Sequence, residues 1–251
     1  PDLIQPFILV LLRISAMIVT IPVIGHRSVP VRVKAGLSLI LAFVIFPFVG
    51  KQMPAISPDL IPLVLQMAGE VMIGLIIGFT ARFVFTGIQF AGELIGIQMG
   101  FSMANVLDPM SDLRVSVVAE MQYLMAMLVF LAINGHHIFI AAMVDSYRLL
   151  APFEFHFSGP LMQFILELSK DVFIIAVKAS APVAAVLLFT QLGMAIIART
   201  VPQINILIVG FPIQIAAGLI FLGLSMPIFL RVVEQYCVQF EGKIVSLLRL
   251  M

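Results

Sequence analysis

The chain contains no tryptophan and only three tyrosines, Tyr123, Tyr147 and Tyr236. Proteins whose helices all face lipid enrich both residues at the two membrane interfaces. The missing aromatic belts therefore argue that many helices face protein instead. Charge is equally scarce: 11% of the 251 residues are Asp, Glu, Lys or Arg, against about 25% in an ordinary soluble domain. A formal net charge of +1 gives no basic surface for nucleic acid. A single cysteine, Cys237, excludes an intrachain disulfide and a cysteine metal cluster. No P-loop, dinucleotide fingerprint or nucleophile–base motif occurs, so neither enzyme activity nor a cofactor is expected. The pair His136-His137 is no metal site by this reading, because adjacent residues on a helix diverge and no carboxylate lies at helical spacing from both.

What the chain has is apolar length. It is 62% hydrophobic with a mean hydropathy of +1.17, which marks an all-α integral-membrane-type protein of long kinked helices and helical hairpins, in contact with membrane lipid. Leu3–Ile24, with Arg13 inside it and Pro22 near its end, lacks the basic leader and small-residue cleavage site of a signal peptide and reads as the first helix of the mature chain. A second helix is predicted over Val31–Val49. The stretch Leu60–Gly100 would be about 60 Å long as one helix, twice the roughly 30 Å of a hydrocarbon core, so it breaks or projects, with Thr86-Gly87 as the expected break. Further helices are expected over Val115–Ile133, His136–Leu150, Leu161–Arg199 (kinked at Pro182) and Ile213–Leu250. Asn134-Gly135 interrupts the first two, and Thr200–Pro212 reads as a broken apolar loop. Hydropathy alone proposes about six membrane spans.

The most informative segment runs from Gly100 to Arg114. It ends one helix at Gly100, carries the turn pair Asp108-Pro109 and restarts a helix near Ser111-Asp112. Irregular backbone in so apolar a chain has to be buried in protein or line a water-filled path, which makes this segment a pore element, gate or substrate-facing loop. Methionines surround it: Met99, Met103, Met110, Met121, Met125 and Met127. Their unbranched side chains suit ordinary packing or a deformable seal. Gly92, Gly96 and Gly100, like Gly74 and Gly78, lie four apart and predict close helix packing. Glu70, Arg82, Glu93 and Glu120 sit in apolar stretches where a charge costs about 2.5–3.5 kcal/mol at a bilayer centre. They are expected to pair while buried, to face water, to lie outside the lipid, or to form a proton relay. Asp145 and Arg148 are expected to form a local salt bridge. The run Ala68-Gly-Glu-Val-Met-Ile-Gly-Leu-Ile-Ile-Gly-Phe79 also echoes Ala91-Gly-Glu-Leu-Ile-Gly-Ile-Gln-Met-Gly-Phe101 with a one-residue gap. Duplication and shared small-residue packing both account for that.

Ala91-Gly-Glu-Leu-Ile-Gly96, Gly100-Phe-Ser-Met-Ala-Asn-Val-Leu-Asp-Pro109 and Asn134-Gly-His136 followed by Asp145, together with the Arg13 helix, the Pro22 turn and the Val201–Pro212 stretch, make the sequence recognisable. Nearly the whole chain resembles the FliR family of flagellar export-gate proteins, also represented in virulence type III secretion. Relatives often carry glycine after the Asp-Pro pair, where this chain has Met110. The resemblance implies one domain over 1–251, FliP-like to about residue 200 and FliQ-like over about 201–251. It implies a place in a pseudo-helical hetero-oligomer with FliP and FliQ, and with FlhB at the cytoplasmic entrance. The segment 101–113 would be a pore plug, with Phe101, Ser102, Met103, Ala104, Asn105, Val106, Leu107, Asp108, Pro109 and Met110 at the gate. The location implied is the bacterial inner membrane and flagellar basal body, with much of the assembly on the periplasmic side. Unfolded flagellar rod, hook and filament subunits would pass through, driven by the proton motive force and helped by a cytoplasmic ATPase. From the residues alone, a proton- or ion-coupled small-solute transporter is the alternative, since broken helices and intramembrane carboxylates suit both.

Overall fold

A computed structural model of the chain describes residues 4–26, 28–49, 60–101, 116–150, 155–201, 203 and 205–251. The regular elements among them are all helices: α1 (Ile4–Thr20), α2 (Val31–Val49), α3 (Leu60–Gln98), α4 (Val117–Ala132), α5 (Gly135–Leu149), α6 (Gly159–Thr200), α7 (Ile206–Leu224) and α8 (Met226–Leu250). The described residues contain no strand. Helix α2 has the bounds its sequence predicts. Helix α1 stops at Thr20, earlier than expected, because Pro22 disfavours helical geometry in the residue before it; the chain then turns through Ile21–Gly25, with the Gly25 amide bonded to the Ile21 carbonyl at 2.7 Å.

One break expected from sequence is absent and another is shorter than expected. Helix α3 runs without interruption through Thr86-Gly87 for 39 residues, about 58 Å. Gly87 serves packing there: a Cβ on it would stand 2.9 Å from the Cβ of Ile175 on α6. Helix α7 begins at Ile206 and contains Pro212, so the loop expected to reach Pro212 ends at Asn205. A proline inside an apolar helix forfeits one backbone bond but need not end the helix when neighbours re-satisfy the freed group. The long C-terminal stretch does divide, at Ser225. Pro227 falls in the first turn of α8, where its missing N–H removes no helical bond. Helices α2, α3 and α6 are long and apolar enough to cross a membrane, and the pairs α4 with α5 and α7 with α8 reach that length only as broken spans. Among the described residues that makes three candidate spans, or up to five if each bent pair is one span, against the six that hydropathy proposes.

The chain divides into two compact units built from separated stretches. Pro1–Phe83, Asn134–Ser169 and Cys237–Met251 form the first; Val84–Ile133 and Lys170–Tyr236 form the second. In the first, α1 buries a stripe of Leu9, Val10, Arg13, Ile14, Met17 and Ile18. The i, i+4 spacing of that stripe is the pattern of an amphipathic helix meeting a core. Gly74 and Gly78 of α3 lie against α1 so closely that a Cβ would overlap the Arg13 carbonyl at the one and Thr20 Oγ1 at the other. Helix α2 buries only the line Ser38, Ala42, Ile45 and Val49, leaving Leu39, Ile40, Phe43 and Phe48 exposed. At the start of α6, Ser158 Oγ accepts the Leu161 amide at 3.2 Å and donates to the Leu250 carbonyl at 2.8 Å, so one side chain caps one helix and satisfies the end of another.

The second unit is built on Ile95, Met99, Val118, Val183, Leu187 and Leu222. Beside this cluster, Phe85 meets Tyr123 and Phe130 edge to face at 5.9 and 5.6 Å, the arrangement favoured by the ring quadrupoles.

Candidate functional site

The chain on either side of the 102–115 segment is held by close packing. Gly100 has φ +90°, a conformation only glycine adopts without strain. Its amide bonds to the Ile97 carbonyl and the Phe101 amide to the Gly96 carbonyl, both at 3.1 Å. This pair of bonds is a Schellman motif, which satisfies two of the last free carbonyls of α3. Helix α4 begins beside it. A Cβ on Gly92 would overlap Ala119, and one on Gly96 would overlap Ser116 Oγ, so α3 and α4 approach at backbone distance where the segment departs and returns. Helix α7 covers the same end: a Cβ on Gly100 would lie 2.6 Å from the Phe211 ring, and one on Gly218 would lie 2.6 Å from Met99. Phe101 packs against the core cluster with Met121, Ile215 and Met226.

Polar groups gather at this junction. Gln191 donates to the Gln98 carbonyl at 3.4 Å. Gln98 Oε1 and Ser116 Oγ are buried with no hydrogen-bond partner among the described residues, and such an atom costs about 1–3 kcal/mol. Of the ten residues predicted to form the gate, Phe101 is placed here; Ser102 through Met110 lie outside the described residues, as do Ser111–Val115. Among the methionines, Met99 is fully buried, while Met103 and Met110 belong to that same stretch.

The four charges expected to pair while buried have different fates. Glu70 is 1% exposed and forms a two-pronged pair with Arg13 of α1, with Nε to Oε2 at 2.5 Å and Nη2 to Oε1 at 3.0 Å. The guanidinium also donates from Nη1 to the Ser146 carbonyl at 3.0 Å and, at longer range, to Ser146 Oγ and the Leu150 carbonyl. Its carbon lies 4.1 Å above the Tyr147 ring, and the Tyr147 hydroxyl donates to the Val10 carbonyl at 3.2 Å. The last-turn carbonyls of α5 carry partial negative charge, so a cation belongs there. Arg82 is not buried: it is exposed on α3, and among the described residues it is in no ion pair. Glu93 and Glu120 are only partly buried, and among the described residues neither is in an ion pair. Glu120 lies in the first turn of α4, where the free amides favour an anion without a partner side chain. Asp145 and Arg148 make an exposed pair at 3.5 Å. The rings of His136 and His137 lie 4.3 Å apart. No group of three or more His, Cys, Asp or Glu suited to a metal occurs among the described residues.

The model of a family described as "Bacterial export proteins, family 1" matches residues 4–240. The flagellar biosynthetic protein FliR of Bacillus subtilis (strain 168) is 37% identical over 216 residues, covering 85% of this chain and 83% of that protein. FliR of Escherichia coli (strain K12) is 34% identical over 204 residues, 81% of this chain and 77% of the other. The chain belongs to the FliR family of bacterial export proteins. A relative from a second setting, the Yop proteins translocation protein T of Yersinia pestis, is 28% identical over 220 residues, 85% and 84% of the two chains.

For a FliR-family chain with three helices of membrane-crossing length and composition, a membrane location and a role in flagellar type III export follow. Two features of the site were not fully legible in the sequence. Arg13 was visible as a charge inside α1, but nothing in the sequence pairs it with a residue 57 positions away; the available signal was a lone Arg and a lone Glu in separate apolar helices, each needing an opposite charge. The clamp of Gly92 and Gly96 on Ala119 and Ser116 was half legible. The glycine spacing marks a packing face, but not which helix fills it.

Proposed function

We propose that this chain is a structural and gating subunit of the flagellar type III export apparatus. In this reading it assembles with FliP and FliQ into the channel through which unfolded flagellar subunits cross the inner membrane, with FlhB at the cytoplasmic entrance and much of the assembly on the periplasmic side. Its role is conductive and structural, not catalytic. Residues 101–113 form the plug; about 1–200 is the FliP-like part and about 201–251 the FliQ-like part. The observation that carries the reading is the junction at the end of α3. A left-handed glycine, a Schellman motif and two backbone-close glycine contacts with α4 fix both flanks of one 14-residue stretch between apolar helices. A fixed base on both sides of a short stretch suits a plug, which has to occupy one position and return to it. Exposed apolar residues such as Phe43, Phe48, Phe173, Phe189 and Ile196, in a chain without aromatic belts, fit neighbouring subunits as well as lipid.

Two measurements test this. The intact mass of the detergent-extracted complex should be that of a multi-subunit hetero-oligomer; a single chain or homodimer that transports a solute would replace this reading with a transporter. Deleting Ser102–Ser111 should make the assembled gate leak ions or small solutes across a bilayer. Unchanged conductance would remove the plug from the account and leave a non-conducting scaffold.

A further inference from the structure

The triplet Ala-Gly-Glu occurs twice on α3, at 68–70 and 91–93. The first copy is satisfied within the chain. Glu70 is buried, and Arg13 arrives from another helix, lies against the Tyr147 ring and closes a two-pronged pair. The second copy is only partly buried, and among the described residues Glu93 is in no ion pair. Glu93 lines a cavity of about 280 Å³ together with Thr86, Gln89, Phe90, Val172 and Phe173. Positions 86, 89 and 93 are spaced by three and four, so a hydroxyl, an amide and a carboxylate rise from one face of α3. Phe90 and Phe173 meet edge to face at 5.8 Å and 89° and supply an aromatic wall that a cation can lie against. On α6, Phe173 of the lining is 61% exposed, as is Val177 one turn on, and the charged residues Lys170, Asp171 and Lys178 lie on the same helix.

We infer that Glu93 receives a guanidinium or ammonium side chain from a neighbouring subunit of the assembled gate, seated in this cavity against Phe90 and Phe173. The inference rests on the hetero-oligomeric reading above. Charge complementarity selects the occupant. A carboxylate with an aromatic wall and no counter-charge among the described residues is the half of a pair whose complete form this chain displays at Glu70. A helix-borne Arg is the group that completes it there, and lipid tails offer no cation to do so. At Glu93 the cation comes from outside the chain, which turns an intrachain clasp into a subunit contact.

The test uses the intact complex, extracted in mild detergent and followed by native mass spectrometry over a salt series. Glu93→Gln removes the anion. Gln89→Arg leaves Glu93 in place but supplies a cation one helical turn away within the chain, so it competes with the partner even if the first variant folds poorly. Both should lower the hetero-oligomer fraction by about tenfold or more and shift dissociation to lower salt. A photoreactive residue at Val172 should label a partner peptide containing Lys or Arg. Reversing that partner charge to Glu should restore assembly of Glu93→Lys. If Glu93→Gln, Glu93→Lys and Gln89→Arg all assemble like the parent across the series, or Val172 labels only lipid, the inference is overturned while the assembly reading stands. A parent protein that forms no hetero-oligomer overturns the assembly reading itself.

Discussion

Arg13 and Glu70, 57 residues apart in sequence, form a two-pronged ion pair in which neither side chain is more than 1% exposed. The pair joins α1 to α3, and the remaining guanidinium nitrogen reaches the end of α5 through Ser146 and Leu150. Three helices distant in sequence thus share one charge centre, and removing either partner leaves the other buried and uncompensated.

Arg13→Ala or Glu70→Ala should each destabilise the protein by about 3–5 kcal/mol. Arg13→Lys should recover little, because a single ammonium cannot reproduce the fork to Glu70, the bond to Ser146 and the stacking on Tyr147. The double variant Arg13→Met with Glu70→Met should be markedly more stable than either alanine variant, since no charge is stranded. Thermal unfolding in detergent and steady-state abundance in membranes would show this order. The exposed pair is the control: Arg148→Ala should change stability by less than about 1 kcal/mol.

Glu120 and Glu70 are both carboxylates in apolar helices, but different physics holds them. Glu120→Gln should cost about 0.3–1 kcal/mol, the value of an anion near helix amides, and the loss should shrink as salt is raised. Glu70→Gln should cost several-fold more and show little salt dependence, because buried pairs are weakly screened. Unfolding midpoints at low and high salt separate the two.

The described glycines include some packed against other residues and some that face open space. Gly78→Ala places a methyl on the Thr20 side chain and should cost about 1–3 kcal/mol. Gly193→Ala, at a position with no atom within 4 Å of a new Cβ, should be neutral or stabilise α6 by up to about 1 kcal/mol through helix propensity. The comparison is made on the isolated chain by thermal unfolding.

Gly100→Ala meets two obstacles, the positive φ and the Phe211 ring. Trimming the ring in Gly100→Ala with Phe211→Ala relieves contact but not backbone strain, so a penalty of about 1–2 kcal/mol should persist relative to Phe211→Ala alone. Since Gly100 sets the direction in which the chain enters residues 102–115, Gly100→Ala should also raise solute leak through the assembled gate, measured as conductance in a planar bilayer.

The all-helical class, the bounds of α2, the interruption at Asn134-Gly135 and the end of α3 at Gly100 were all determined by the sequence. Each rests on a local cause: an apolar run without strand alternation, a glycine where φ turns positive, a residue that tolerates the left-handed region, as Asn134 does at φ 56°. Local signals also misled. Thr86-Gly87 and Pro212 carry the residues of a break, yet both lie inside helices. The close approach of Ile175 explains Gly87, and an apolar helix tolerates one lost backbone bond at Pro212. Only the tertiary structure decided which charges meet. Arg13 finds Glu70 because α1 and α3 pack through Gly74 and Gly78, and that packing is a property of three-dimensional surfaces. The sequence announces that a buried carboxylate needs a cation; the fold supplies one to Glu70 and leaves Glu93 facing a cavity.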